Sequence, residues 1–104
     1  MENADTSKHY VVTTTVSNET QAVELARKII SNRLGRCVQI VPRIRSIYHW
    51  DGEVCDDDEC LLIIKLTSCN IDHLLRHLPE WHPYEVPEIV SIQIVSGHEP
   101  YLKW

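Results

Sequence analysis

Residues 45–65 read RSIYHWDGEVCDDDECLLIIK, and this stretch decides the fold. The Asp51-Gly52 pair predicts a tight hairpin turn, because both central positions of such a turn favour residues that tolerate positive φ. Extended sequence stands on both sides, from Arg36 to Trp50 and from Glu53 to Thr67. The sequence therefore predicts a long two-stranded arm with this turn at its tip. Pro42 predicts a bulge or an edge position in the first strand, since proline cannot donate a hydrogen bond to a neighbouring strand.

Two helices are predicted where apolar residues recur at three- and four-residue spacing. The first is expected to span Glu19 to Leu34, with Asn18 as the N-cap and Gly35 as a left-handed C-cap. The second is expected to begin at a cap formed by Asn70 and to be closed by Pro79. Both helices would cover a sheet with their apolar faces.

The remaining strands are predicted at the two ends of this pattern, from Tyr10 to Val16 and from Glu88 to Val95. In the last strand, the alternating residues Val90, Ile92 and Ile94 are expected to face the core. The order strand, helix, strand, strand, helix, strand is the ferredoxin-like βαββαβ arrangement of the α+β class. Residues 97–104 form a short C-terminal segment.

Apolar residues on both faces of the predicted sheet indicate an oligomer. Residues 61–64 are apolar at every position, and Ile89 and Val95 are expected on the face that the helices leave open. A strand that is apolar on both faces expects cover on both faces. A second copy of the chain is the simplest cover.

Composition limits the classes of function. Hydrophobic residues make up 43% and charged residues 24% of 104 residues, which is typical of one globular domain. The net charge of −5 disfavours nucleic acid and anionic membranes, whose binding needs a basic surface. No apolar run is long enough to insert into a membrane. We predict a disordered polar tail at 1–8 and one domain at 9–104. The expected compartment is the cytoplasm, where the four cysteines would be free thiols.

Two possible metal motifs are weak. Cys55 and Cys60 are too far apart for a zinc finger and would point to opposite faces of a strand, so a solvated arm is favoured. His73 and His77 have helical spacing for chelation, but they would lie on the solvent side of their helix. No local pattern assembles a nucleophilic catalytic site, so we expect a protein that is not an enzyme.

Polar and aromatic residues gather in three places: the end of the second strand, the loop before the last strand, and the C-terminal segment. Tyrosine and tryptophan suit both wet clefts and subunit interfaces, because each carries a donor that needs a partner when buried. A ligand cleft and an aromatic interface both remain open. The group is Ser46, Tyr48, His49, Trp50, Lys65, Trp81, His82, Tyr84, Glu85, Glu88, Tyr101 and Trp104.

Several motifs make the sequence similar to the CutA divalent-cation tolerance family. They are Cys37-Val38, Pro42, SIYHWDG at 46–52, Glu59, Lys65, HPYEVPEI at 82–89 and GHEPYLKW at 97–104, in this order. The resemblance implies a ferredoxin-like subunit in a homotrimer with sheets inside and helices outside. It further implies a role in copper and other divalent-ion tolerance, a quaternary likeness to PII signalling proteins, and no agreed catalytic activity.

The resemblance also implies a metal site. Copper has been proposed to bind some members through a first-strand cysteine together with a histidine and a glutamate, which here are His82 and Glu88. Thr14 stands at the cysteine position, so the soft ligand that favours Cu(I) is missing. A site for Cu(II) or Zn(II) is expected, with no obligatory cofactor. The expected lining of the inter-subunit cleft is Tyr48, Trp50, Lys65, Tyr84, Glu85, Tyr101 and Trp104.

Three functions follow as hypotheses. The first is a homotrimer that contributes to divalent metal tolerance and binds an ion or small ligand between subunits. The second is a PII-like signalling protein that senses a small metabolite. The third is a trimeric scaffold that anchors another protein.

Overall fold

The computed structural model describes residues 8–104, which form one antiparallel sheet with two helices on one of its faces. The predicted tail at residues 1–8 lies outside this range except for Lys8. The sheet order is β2-β3-β1-β4, so the ferredoxin-like fold is confirmed. The elements are β1 (His9–Val16), α1 (Glu19–Ser31), β2 (Cys37–Trp50), β3 (Glu53–Thr67), α2 (Ser68–Trp81), β4 (Ile89–Ile94) and α3 (Glu99–Leu102).

The hydrophobic core lies between the helices and the sheet. Alternate residues of the two central strands face it, because side chains alternate between the faces of a strand. Its fully buried members include Val12, Val16, Ile29, Leu62, Ile64, Leu74 and Leu78. No helix in residues 8–104 combines the length and the apolar character needed to cross a bilayer.

The predicted arm is confirmed. Asp51 and Gly52 have φ of 54° and 79°, the positive values that a tight hairpin turn requires, and Trp50 pairs with Glu53 beside them. β1 pairs with β3 only as far as Cys60, so residues 43–50 and 53–59 extend beyond the rest of the sheet. We call this two-stranded extension the arm. The register of β2 shifts between Val41 and Ile44, as expected for a bulge at proline.

The predicted end of the first helix is wrong. α1 ends at Ser31, and the residue in the left-handed conformation is Arg33 (φ 58°). Its N–H donates to Ile30 O at 3.0 Å and the Leu34 N–H donates to Ile29 O at 3.1 Å, which are the two bonds of a Schellman motif. The helix is therefore capped two residues before Gly35.

Gly35 is instead required by close packing. A Cβ added there would lie 2.9 Å from Ile29 Cγ2 and 3.0 Å from Ile64 Cγ2. Because real Cβ atoms do not approach other carbons so closely, a side chain here would push the helix away from the sheet. The glycine allows the connection from α1 to β2 to pass directly over the core.

The second helix also begins and ends differently from the prediction. It starts at Ser68, directly after β3, with Thr67 at the N-cap position, so Asn70 lies inside its first turn. Pro79 lies within the last turn and does not close the helix, because the chain continues to Trp81. The His82 N–H then donates to Leu78 O at 3.0 Å and completes the final turn.

The face of β4 that packs on the core is the opposite of the predicted one. Ile89 pairs with the buried Thr14 and packs against the core under the helices. Val90 and Ile92 lie on the face without helices and are 47% and 60% exposed. The prediction that Val90, Ile92 and Ile94 face the core is wrong, because the pairing with β1 places them beside Thr13, Val11 and His9. The open face is thus more apolar than expected.

The two residues after α1 make a testable pair. We expect Gly35→Ala to lower the free energy of unfolding by about 1–3 kcal/mol, because the added methyl overpacks the contact between Ile29 and Ile64. Arg33→Gly should raise it by up to about 1 kcal/mol, because glycine removes the strain of a positive φ. Urea unfolding of both variants measures these changes. A neutral Gly35→Ala together with a destabilising Arg33→Gly would contradict this account.

Candidate functional site

A cleft of about 850 Å³ lies where the arm leaves the sheet. The arm forms one wall, the end of β1 contributes to the floor, and the loop between α2 and β4 forms the other wall. The lining residues are Thr15, Ser17, Ser46, Ile47, Tyr48, Trp50, Asp57, Glu59, Tyr84, Glu85, Val86 and Glu88.

The cleft is acidic and aromatic. Four carboxylates line it, from Asp57, Glu59, Glu85 and Glu88, whereas no lysine, arginine or histidine of residues 8–104 does. An acidic concave surface focuses a negative potential and attracts cations. A cation is therefore the ligand that its charge favours.

Among residues 8–104, the carboxylates of β3 that face the cleft have no arginine partner, whereas their neighbours on the same strand do. On the opposite face of the arm, Arg43 Nη2 lies 3.2 Å from Asp58 Oδ2 and Arg45 Nη2 lies 2.8 Å from Asp56 Oδ2. Asp57 lies between these two aspartates and points to the other face, because strand side chains alternate. The arginines of the arm thus compensate only the carboxylates that face away from the cleft.

Tyrosine hydroxyls hold the two β3 carboxylates of the cleft. Tyr48 Oη donates to Asp57 Oδ2 at 2.5 Å, and this bond raises the pKa of Tyr48 to about 12. Tyr84 Oη donates to Glu59 Oε2 at 2.6 Å and accepts a bond of 3.0 Å from Ser17 Oγ. Burial and the bond to Glu59 raise the pKa of Tyr84 to about 12. Both phenols keep their protons at neutral pH, so they orient the carboxylates without neutralising them.

His82 lies behind the cleft wall and is only 7% exposed. Its Nδ1 accepts a bond of 3.1 Å from the Tyr84 N–H, so the ring proton belongs on Nε2. Nε2 lies 2.9 Å from both Thr15 O and Thr14 Oγ1. Burial lowers the pKa of His82, which favours this neutral form. The ring therefore connects β1 to the loop that positions Tyr84.

The two predicted metal ligands have different positions. Glu88 lines the cleft, whereas both ring nitrogens of His82 are already hydrogen-bonded. In residues 8–104, no group of three or more His, Cys, Asp or Glu side chains is arranged to hold a metal ion. Metal binding by His82 and Glu88 stays a prediction, and it requires His82 to exchange the Tyr84 N–H for the ion.

The predicted cleft residues form two groups in a single chain. Tyr48, Trp50, Tyr84 and Glu85 line the cleft together. The others lie at the opposite end of the sheet, where Lys65 Nζ is 5.8 Å from the Tyr101 ring centroid and Arg36 stacks at 5.9 Å over Trp104. A cleft that combines both groups needs more than one copy of the chain, and it stays a prediction.

Some lining residues were not predicted from the sequence. The sequence places Asp57 and Glu59 in a solvated arm and carries no signal that assigns Thr15 or Ser17 to a binding site. The two carboxylates could be identified by elimination. Arg43 and Arg45 can reach only Asp58 and Asp56 across the hairpin, which leaves the alternate acidic residues without an arginine. This selection becomes visible only when the register of the hairpin is known.

The weak motifs remain without a metal-binding arrangement. All four cysteines are free, as expected, and none forms a disulfide within the described part of the chain. His73 Nδ1 lies 3.2 Å from Arg76 Nη2, and His77 stacks on Trp81 at 5.5 Å between ring centroids. Both histidines thus take part in contacts along the surface of α2.

Comparison with known proteins places the chain in one family. The profile of the family described as "CutA1 divalent ion tolerance protein" matches residues 10–104. The divalent-cation tolerance protein CutA of Thermus thermophilus is 44% identical over 90% of this chain and 91% of its own length. A CutA homolog of Xenopus laevis is 42% identical over 86% of this chain, which spans only 60% of that relative.

A solved structure shows the same fold. The crystal structure of CutA1 from Oryza sativa superposes with a TM-score of 0.89 at 43% identity, covering 93% of this chain and 89% of the other. The protein with this acidic cleft belongs to the CutA1 divalent ion tolerance family.

Proposed function

We propose that the protein contributes to divalent metal tolerance as a homotrimer that binds a cation in clefts between its subunits. The observation that carries this proposal is the cleft itself, which four carboxylates line and no basic side chain of the described residues 8–104 does. The family described for residues 10–104 supports the connection with divalent ions. The proposal assigns binding to this site and no catalysis.

Exposed apolar surface supports assembly. Val90 and Ile92 are 47% and 60% exposed on the face without helices, and Ile47 and Val54 on the arm are 64% and 66% exposed. β2 and β4 are also the two edge strands of the sheet. Within the described part of the chain, the backbone groups along their outer edges are unpaired, which favours pairing with another chain. Burying such surface contributes about 25 cal/mol per Å² of apolar area. The number of three subunits follows from the family resemblance.

Glu88 is the proposed anchor of a metal ion, with His82 as its second ligand. Carboxylate oxygen and neutral imidazole nitrogen suit Cu(II) and Zn(II). Thr14 supplies no thiolate. Its Oγ1 lies 2.9 Å from His82 Nε2, in agreement with a ring proton on Nε2, so an ion bound at Nδ1 would displace the Tyr84 N–H that donates to this atom. Further ligands would come from another copy of the chain. We propose the cytoplasm as the compartment.

The cavity volume favours a second candidate, the binding of a small metabolite as in PII-like signalling. About 850 Å³ is much larger than one ion needs, and aromatic side chains line part of it. A pure scaffold has no observation of this kind in its favour.

Metal binding is testable by native mass spectrometry of the protein during titration with Zn(II) and Cu(II). We expect a mass near three chains with one ion per subunit. Glu88→Gln and His82→Gln should each lower the affinity at least tenfold, because each removes one of few ligands. Glu99→Gln is the matched control, since Glu99 lies in α3 and outside the cleft.

The trimer and the metal ligands can be contradicted separately. A monomer at micromolar concentration contradicts the trimer. Equal metal uptake by the wild type, Glu88→Gln and His82→Gln contradicts the assigned ligands.

The burial of His82 predicts a pH dependence of stability. Because burial lowers its pKa in the folded state, the unfolded chain takes up a proton more readily as the pH falls through about 6.5. The free energy of unfolding should therefore be highest above this pH and decrease from pH 7.5 to 5.5. His82→Gln should reduce that decrease, as measured by urea unfolding at both values.

The matched control is His49→Gln, which removes a histidine from the exposed arm without changing the contacts of His82. It should retain the decrease of the wild type. If His82→Gln also retains the full decrease, the buried ring does not cause it.

A further inference from the structure

We propose that the cation bound by the cleft is an organic polyamine, a chain of ammonium groups separated by methylenes. This inference rests on the proposed function only in taking the cleft as a cation site, and it specifies the chemical class of the ligand. Four features of the cleft carry it: the separation of its charges, its apolar wall, a buried hydroxyl and its volume.

The carboxylates of the cleft are distributed and do not converge. Asp57 and Glu59 belong to β3, whereas Glu85 and Glu88 belong to the loop before β4. Residues two apart on one face of a strand are separated by about 7 Å. A metal ion places its whole charge at one point and needs several ligands there. A polyamine carries separated charges, each of which can donate hydrogen bonds to a different carboxylate.

The wall between these charges is apolar and aromatic. Tyr48, Trp50 and Tyr84 line the cleft together with Val86. Ring faces attract ammonium groups, and methylenes between the ammonium groups can contact the rest of the wall. A hydrated metal ion gains little from such a surface, so the aromatic lining favours an organic cation.

Thr15 provides an independent indication of a ligand. It lines the floor of the cleft and is only 7% exposed, yet its hydroxyl has no hydrogen-bond partner among residues 8–104. Its backbone carbonyl is occupied by His82, which leaves the hydroxyl as the free polar group of this residue. Buried polar groups are normally paired, because an unpaired one costs free energy. An ammonium N–H at the floor would supply the missing donor.

The volume agrees with a ligand of this size. About 850 Å³ falls within the range of about 300–1,000 Å³ found for pockets that bind small organic molecules. The cleft is also partly open to solvent, so a flexible chain can enter it.

The test is isothermal titration calorimetry of the whole protein with spermidine at about 0.15 M salt, where nonspecific attraction is screened. The uncharged control is 1,8-octanediol, which has the same number of heavy atoms. Spermidine should bind and the diol should not. The double variant Asp57→Asn, Glu59→Gln should bind spermidine at least about tenfold more weakly, since it loses two charge-assisted acceptors.

The strand offers a matched control variant. Asp56→Asn with Asp58→Asn removes the same charge from the other face of the arm and should change the affinity less than about twofold, because exposed ion pairs contribute little. Thr15→Val is a second variant that keeps the charge and the shape. It should weaken spermidine binding while leaving the circular dichroism spectrum unchanged, and it gives a result even if the cleft double variant does not fold.

A parallel titration with ZnCl₂ separates this inference from the proposed function. Zinc binding without spermidine binding overturns the polyamine and leaves the metal site standing. Spermidine binding without zinc binding supports the polyamine and contradicts the metal. The absence of both overturns both. An equal loss in the two double variants, or an unchanged affinity in Thr15→Val, also overturns the inference, because binding would then follow overall charge and not this cleft.

Discussion

The alternation of side chains along the arm is the constraint on which the cleft depends. Four consecutive acidic residues, from Asp56 to Glu59, would form a nearly uniform charged segment in a helix or a loop. In a strand they are divided between two faces. One face meets arginines across the hairpin, and the other meets tyrosines. A slip of one residue would exchange these faces, so the turn at Asp51-Gly52, which sets the register, also determines which carboxylates are uncompensated.

A second constraint connects the core to the other wall. α2 ends at Trp81, and the next residue, His82, turns inward and is buried against β1. Because its Nδ1 accepts the Tyr84 N–H, the backbone of the loop is fixed by a side chain whose own position depends on Thr14 and Thr15. Tyr84 then holds Glu59 across the cleft. The geometry of the acidic site thus depends on a neutral, buried histidine that does not line it.

Much of the fold could be predicted because its signals are local. The hairpin turn, the bulge at Pro42 and the order of elements each depend on a few neighbouring residues. The predictions for the end of α1 and for the faces of β4 were wrong, because the same local pattern is compatible with two structural roles. Gly35 has the position of a helix cap but is needed for close packing, while Arg33 takes the positive φ. β4 carries Val90, Ile92 and Ile94 on one face and Ile89, Ser91 and Gln93 on the other, so its own pattern favours the wrong face. Only its pairing with β1 decides that Ile89 and not Val90 meets the helices.

The cleft could be predicted only in part, because its partners lie far apart in sequence. The aromatic composition identified Tyr48 and Tyr84, but Asp57 and Glu59 acquire their role from contacts across strands and to a distant loop. The same long-range arrangement couples binding to assembly in the proposed trimer. The open face is apolar at β4 and the cleft beside the arm is acidic. A second copy that covers this face would transfer the carboxylates to a less polar environment, where unpaired charges are costly. A bound cation offsets that cost, so the ligand and the partner subunit would each strengthen the binding of the other.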